Sequence, residues 1–103
     1  MPEELLDIEN TVEDENGASW EAAVLGGERE DGHWIGWLRF TPVGPGEALV
    51  TDRETTQPNR DDLAYWSRGL TYFYLEGALG RARRKAERRS GGGDADRRSR
   101  RDR

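Results

Sequence analysis

A chain of 103 residues, with 33% apolar and 36% charged side chains, builds one domain around one small core. It holds no cysteine, which excludes disulfides, thiolate metal sites and a cysteine nucleophile, and no apolar run approaches the roughly 20 residues of a membrane span. The stretch from Met1 to Asn10 is acidic, without the basic and apolar segments of a secretory leader, so the expected location is the cytoplasm.

Charge is unevenly distributed. Positions 1–77 carry 17 acidic against 5 basic residues, a balance of −12, and positions 78–103 carry 4 against 11, a balance of +7, which together give the net −5. Only Lys85 is a lysine; the other basic residues are arginines. An acidic, lysine-poor globular part suits a salt-rich cytoplasm, where screening relieves self-repulsion. Halophilic adaptation is therefore expected, although GC-rich codon usage explains the arginine excess equally well.

In chain order, positions 1–17 read as an edge strand or a mobile segment. Leu6, Ile8, Asn10 and Val12 alternate like a strand, while Leu5, Leu6 and the glutamates would also make one helical turn. Asn16-Gly17 is a strong hairpin-turn pair and favours the strand. Positions 19–26 form the next strand, with Trp20, Ala22 and Val24 on one face. Gly26-Gly27 then leads through 28–32 into a turn. The clearest strand covers 33–41, where Trp34, Gly36, Leu38 and Phe40 point one way and Ile35, Trp37, Arg39 and Thr41 the other; Pro42 closes it. Gly44-Pro45-Gly46 turns into a further strand over 48–56.

Positions 59–89 read as one long helix. Asn59 is placed to cap it, with Asp62 at the capping-box offset, and Asp61 and Asp62 suit the positive end of its dipole. At 100° per residue, Leu63, Trp66, Leu70, Phe73, Tyr74 and Gly77 share a core-facing stripe. Tyr65, Tyr72, Leu75, Leu79 and Ala82 fall on the opposite side, which a single sheet does not cover; the expected cover is the same helix of a second copy. Arginines toward the end meet the negative helix terminus, and Gly91 to Gly93 stop it. The expected fold is α+β: an antiparallel meander of three or four strands packed by one long C-terminal helix, with 1–89 as a single domain. Positions 90–103 form a disordered basic tail carrying Arg97, Arg98, Arg100 and Arg101.

Catalytic signals are weak. The single His33 stands near Glu28, Glu30 and Asp31, yet one imidazole in a solvated turn makes no metal site, and a polar residue opening a strand explains it. No spacing sets Ser19 or Ser67 beside it. Asp61 and Asp62 are helix-start residues, and the glycine pairs lack the lysine and helix of a phosphate loop. No cofactor and no enzyme activity are expected.

The open sheet face is the more informative group. Trp37, flanked by Arg39, Thr51 and Arg53, would stack a base on its indole while guanidinium groups meet phosphate. A four-stranded meander followed by a dimerising helix is similar in outline to the PC4-like and PUR-type single-strand DNA-binding modules. The balance of −12 opposes a polyanion. The reading taken from the sequence is therefore a small protein-interaction domain, homodimeric through the helix; the alternative is a single-stranded nucleic-acid binder using the sheet face and the arginine-rich tail.

Overall fold

The computed structural model describes residues 2–102, with side chains through Arg89. In order these are β1 (Glu3–Asp7), β2 (Val12–Glu13), β3 (Ser19–Glu28), β4 (Trp34–Pro42), β5 (Leu49–Val50), β6 (Thr55–Gln57), α1 (Arg60–Arg68) and α2 (Tyr72–Asp102). The six strands form one antiparallel sheet with helices on one side, so the fold is α+β as expected.

The two central strands are the ones the sequence marked most clearly. β3 and β4 pair over nine positions, from Trp20 opposite Pro42 to Glu28 opposite Trp34. At one end the hairpin turn brings Arg29 N to 2.7 Å from His33 O, with Gly32 at φ +89°. At the other end of β3, Gly17 takes φ +84° in the turn after β2, the left-handed conformation that Asn-Gly supplies.

Both edges are broken, which is why six strands replace three or four. β1 and β2 lie end to end along β3, and β5 and β6 lie end to end along β4. The expected strand over 48–56 is therefore two short pieces. Between them Thr51 leaves the ladder and substitutes for it. Its backbone N donates to Leu38 O at 2.9 Å, and its hydroxyl accepts from Leu38 N at 3.0 Å, so both polar groups of that buried strand position stay satisfied.

The expected single helix is also two helices. Asn59 caps α1 as expected, its side chain accepting from Asp62 N at 2.8 Å. The helix ends at Gly69, and Thr71 starts the next one, its hydroxyl accepting from Tyr74 N at 3.1 Å. The interruption resets the helical phase. Leu75, Ala78, Leu79 and Ala82 therefore face the sheet, buried with Val12, Val24, Leu38 and Phe40. Of the expected core stripe, Leu63 is fully buried and Trp66, Leu70 and Tyr74 pack partly, but Phe73 is 83% exposed and Gly77 points to solvent.

Helix α1 is seated by a notch. Gly26 and Gly36 are cross-strand partners, and the two methyls of Leu63 straddle them. A Cβ at Gly26 would lie 2.7 Å from one methyl, and a Cβ at Gly36 would lie 2.6 Å from the other. These glycines are there for close approach of the helix. The helix does not stop at Gly91 to Gly93 as expected, since α2 runs through them to Asp102; the side chains of the expected basic tail, including Arg97, Arg98, Arg100 and Arg101, fall outside the described ones.

Candidate functional site

The expected sheet-face group does not converge. Trp37 and Arg39 lie on the open face, half-buried, with Trp37 over Gly27. Arg39 is already engaged, its Nη2 donating to Glu4 Oε1 at 2.9 Å across the sheet from β1. Thr51 is 5% exposed and carries the strand-bridging bonds described above, so it offers no contact surface. Arg53 sits in the 51–54 loop, where it lines a groove with α2 instead of joining Trp37. A continuous fifth strand would have put Arg53 on the open face; the break at Thr51 turned it away.

The expected dimer face needs the same correction. Leu75, Leu79 and Ala82 are 4%, 1% and 1% exposed and belong to the intramolecular core. Only Tyr65 and Tyr72 of that set reach solvent, at 74% and 46%. Tyr72 also touches the sheet, where its hydroxyl accepts from Glu13 N at 3.2 Å. The stripe was real, but the phase reset assigned it to the chain's own sheet.

His33 stays in its turn. Its Nδ1 lies 3.3 Å from Asp31 Oδ1, and both side chains are about half exposed. The backbone N–H of His33 holds the Asp31 carboxyl below the usual carboxylate range. Among the described residues no group of three or more histidine, cysteine or carboxylate side chains is placed to hold a metal. Nor, among them, is any helix long and apolar enough to cross a membrane.

Three arrangements emerge that the sequence did not disclose. The first is structural. Asp14, with only 4% of its side chain exposed, accepts from Trp20 Nε1 at 2.9 Å and from the backbone of Asn16 and Ala18, with Arg83 of α2 at 3.8 Å. The Trp20 bond leads in lowering the Asp14 carboxyl, with the backbone bonds and Arg83 adding to it.

The second lies at the turn between the helices. Tyr65, Trp66, Leu70 and Tyr74 line a shallow, largely apolar groove of about 500 Å³. Trp66 and Tyr74 meet edge to face with centroids 6.1 Å apart. Phe73 projects from the same turn into solvent. It lies next to Tyr74 and two positions after Thr71, both of which line the groove.

The third is a cationic groove of about 410 Å³ between the 51–54 loop and α2. Arg81, Arg84, Lys85 and Arg88 line it from one side of the helix, and Arg53 closes it from the loop. Two carboxylates hold part of this set in place. Glu54 accepts from Arg81 at 2.7 Å and from the Tyr74 hydroxyl, and Asp52 lies 2.8 Å from Lys85 Nζ. Burial, with the Glu54 carboxylate second, pushes the Tyr74 phenol up, and the Lys85 hydrogen bond holds Asp52 down. Helical spacing of Arg81, Arg84, Lys85 and Arg88 was readable in the sequence. That Arg53 would join them was not.

No protein-family model matches this chain, and no curated protein or solved structure matches it either.

Proposed function

We propose that this chain is a protein-interaction domain without chemistry of its own, and that its first partner is a second copy bound at the α1–α2 turn. The observation that carries the reading is Phe73, 83% exposed beside an aromatic-lined groove on the same turn. A knob and a hole that neighbour each other satisfy one another across a two-fold axis. Phe73 of each copy enters the groove of the other, and the assembly closes at two. An exposed phenylalanine contributes nothing to the monomer, whereas aromatic side chains seated in pockets dominate interface energetics.

Sedimentation equilibrium over a wide dilution series tests this. The wild type should show the dimer mass, and Phe73→Ser should weaken association by about 2 kcal/mol or more, a factor of roughly thirty in the dissociation constant. Its unfolding midpoint should stay near that of the wild-type monomer. A wild type that sediments as a monomer throughout overturns the reading.

A further inference from the structure

We propose that the groove between the 51–54 loop and α2 binds a small molecule carrying two or three linked phosphate groups. The first argument is charge. Arg53, Arg81, Arg84, Lys85 and Arg88 face Asp52 and Glu54, a local balance of +3 in a domain whose first 77 positions total −12. Keeping five cations together has a repulsive cost. The two carboxylates pair directly with Arg81 and Lys85, and Asp52 also lies within the field of Arg88. Among the described residues, Arg53, Arg84 and Arg88 form no ion pair, and all three are exposed and line the groove, Arg84 with its guanidinium on the side of Gly80.

The ligand class follows from geometry and stoichiometry. Arg81 and Arg88 are seven positions apart on one helix, which is about 10 Å along the axis at 1.5 Å per residue. A single phosphate engages one end of such a row. A terminal phosphate brings a charge of about −1.5 to −2 with three acceptor oxygens, so two linked groups neutralise the local excess, whereas carboxylates would have to be three or more. Guanidinium forks bind phosphate oxygens in pairs, which suits a set in which four of the five cations are arginine. The volume of about 410 Å³ is that of a small-molecule site.

A long polyanion is a poorer match. At physiological salt the field of the groove fades within about 8 Å. A nucleic-acid strand extending from the groove away from α2 would meet a domain whose first 77 positions total −12. A compact phosphorylated molecule stays inside the favourable region.

Isothermal titration of the intact chain with tripolyphosphate at low ionic strength is the direct test. The expected result is saturable binding, tighter than that of orthophosphate, that weakens at least tenfold in Arg84→Gln/Arg88→Gln. Both arginines are exposed, and circular dichroism should report an unchanged fold. Arg68→Gln, which removes an exposed arginine of α1 away from the groove, should leave the affinity within twofold. Absence of saturable binding overturns the proposal, as does an equal loss in the Arg68 variant, which would mean that overall charge is responsible. Tighter binding of a single-stranded oligonucleotide than of tripolyphosphate overturns the choice of a small ligand.

Discussion

Leu63 shows how a single contact sets the position of an element. Its two methyls rest on Gly26 and Gly36, so moving the side chain away from one glycine drives it into the other. Leu5 closes the Gly26 side and Thr55 the Gly36 side, at 2.8 and 3.3 Å from the respective Cβ positions. Gly36→Ala should therefore destabilise by about 1–3 kcal/mol through overpacking, and Leu63→Ala by about 2–5 kcal/mol through lost burial and a cavity. The double variant should cost less than the two combined, because the alanine methyl then enters the space the leucine leaves. Urea unfolding of the four proteins measures this; strict additivity would mean that the notch is not the constraint.

Asp14 carries a second residue-level prediction, one of pH. Its folded-state carboxyl is lowered from the ordinary 3.8, led by the Trp20 indole N–H. A depressed carboxylate contributes stability above its unfolded pKa and loses it as pH falls through the folded value. Asp14→Asn should accordingly lower the thermal midpoint at pH 7, by an amount that shrinks as the pH falls through the titration of the wild-type carboxyl in the folded protein. A loss that persists in acid would assign the effect to shape instead of charge.

At the scale of the element, the helix interruption is the feature that changes most. Periodicity gave the right residues but the wrong phase, because a pattern read at 100° per residue cannot detect a pause that resets the count. Two cues for it were present in the sequence. Gly69 is a helix-ending residue and Thr71 a helix-starting one, two positions apart. Thr71→Ala should cost about 1 kcal/mol, since it leaves the N–H of Tyr74 without its cap. Gly69→Ala should be neutral or raise stability by about 0.4–1 kcal/mol, because Gly69 has φ −93° and an added Cβ meets only the Trp66 carbonyl at an ordinary 3.6 Å. Chemical denaturation separates the two: a cost at Gly69 comparable to that at Thr71 would contradict the capping account.

The strands were easier to read, and for a physical reason. β3 and β4 alternate between a helix-covered face and an open one, so Leu38 and Phe40 could be assigned to the core from period alone. Edge strands receive support from one side only. They break where a side chain such as Thr51 can replace ladder bonds, and no alternation records that. Two placements were missed for the same reason. Arg53 depends on the broken edge and was expected on the open sheet face, and Phe73 depends on the broken helix and was expected in the core.

Over the whole molecule, the two oppositely charged parts of the chain are folded against each other. Arg81 and Lys85 of α2 reach the carboxylates of the 51–54 loop, and Arg83 lies near Asp14 and Glu15 of the hairpin. Salt has two opposing effects on such a protein. It screens these contacts, which lowers stability, and it screens repulsion among carboxylates, which raises it. Magnitudes decide which prevails. Exposed pairs contribute about 0–1 kcal/mol each and many contribute nothing measurable, so the eight described ones add little. Asp7, Glu9, Glu13, Glu21, Glu28, Glu30, Glu47, Asp61, Asp62 and Glu76 form no ion pair among the described residues.

Repulsion among these carboxylates therefore outweighs the attraction within the pairs. The thermal midpoint should rise between low and molar potassium chloride, by the equivalent of roughly 1–2 kcal/mol if each close carboxylate pair repels by a few tenths. General salt effects on apolar burial act in the same direction, so the cause needs a charge-specific variant. Asp7, Glu9 and Glu21 line one shallow depression around the β1 edge, and all three are exposed. Replacing them by Asn, Gln and Gln should stabilise the protein at low salt and flatten its salt slope, leaving the two proteins closest in molar salt. A midpoint that falls with salt, or a variant whose slope matches the wild type, would place the balance with the ion pairs of α2 instead.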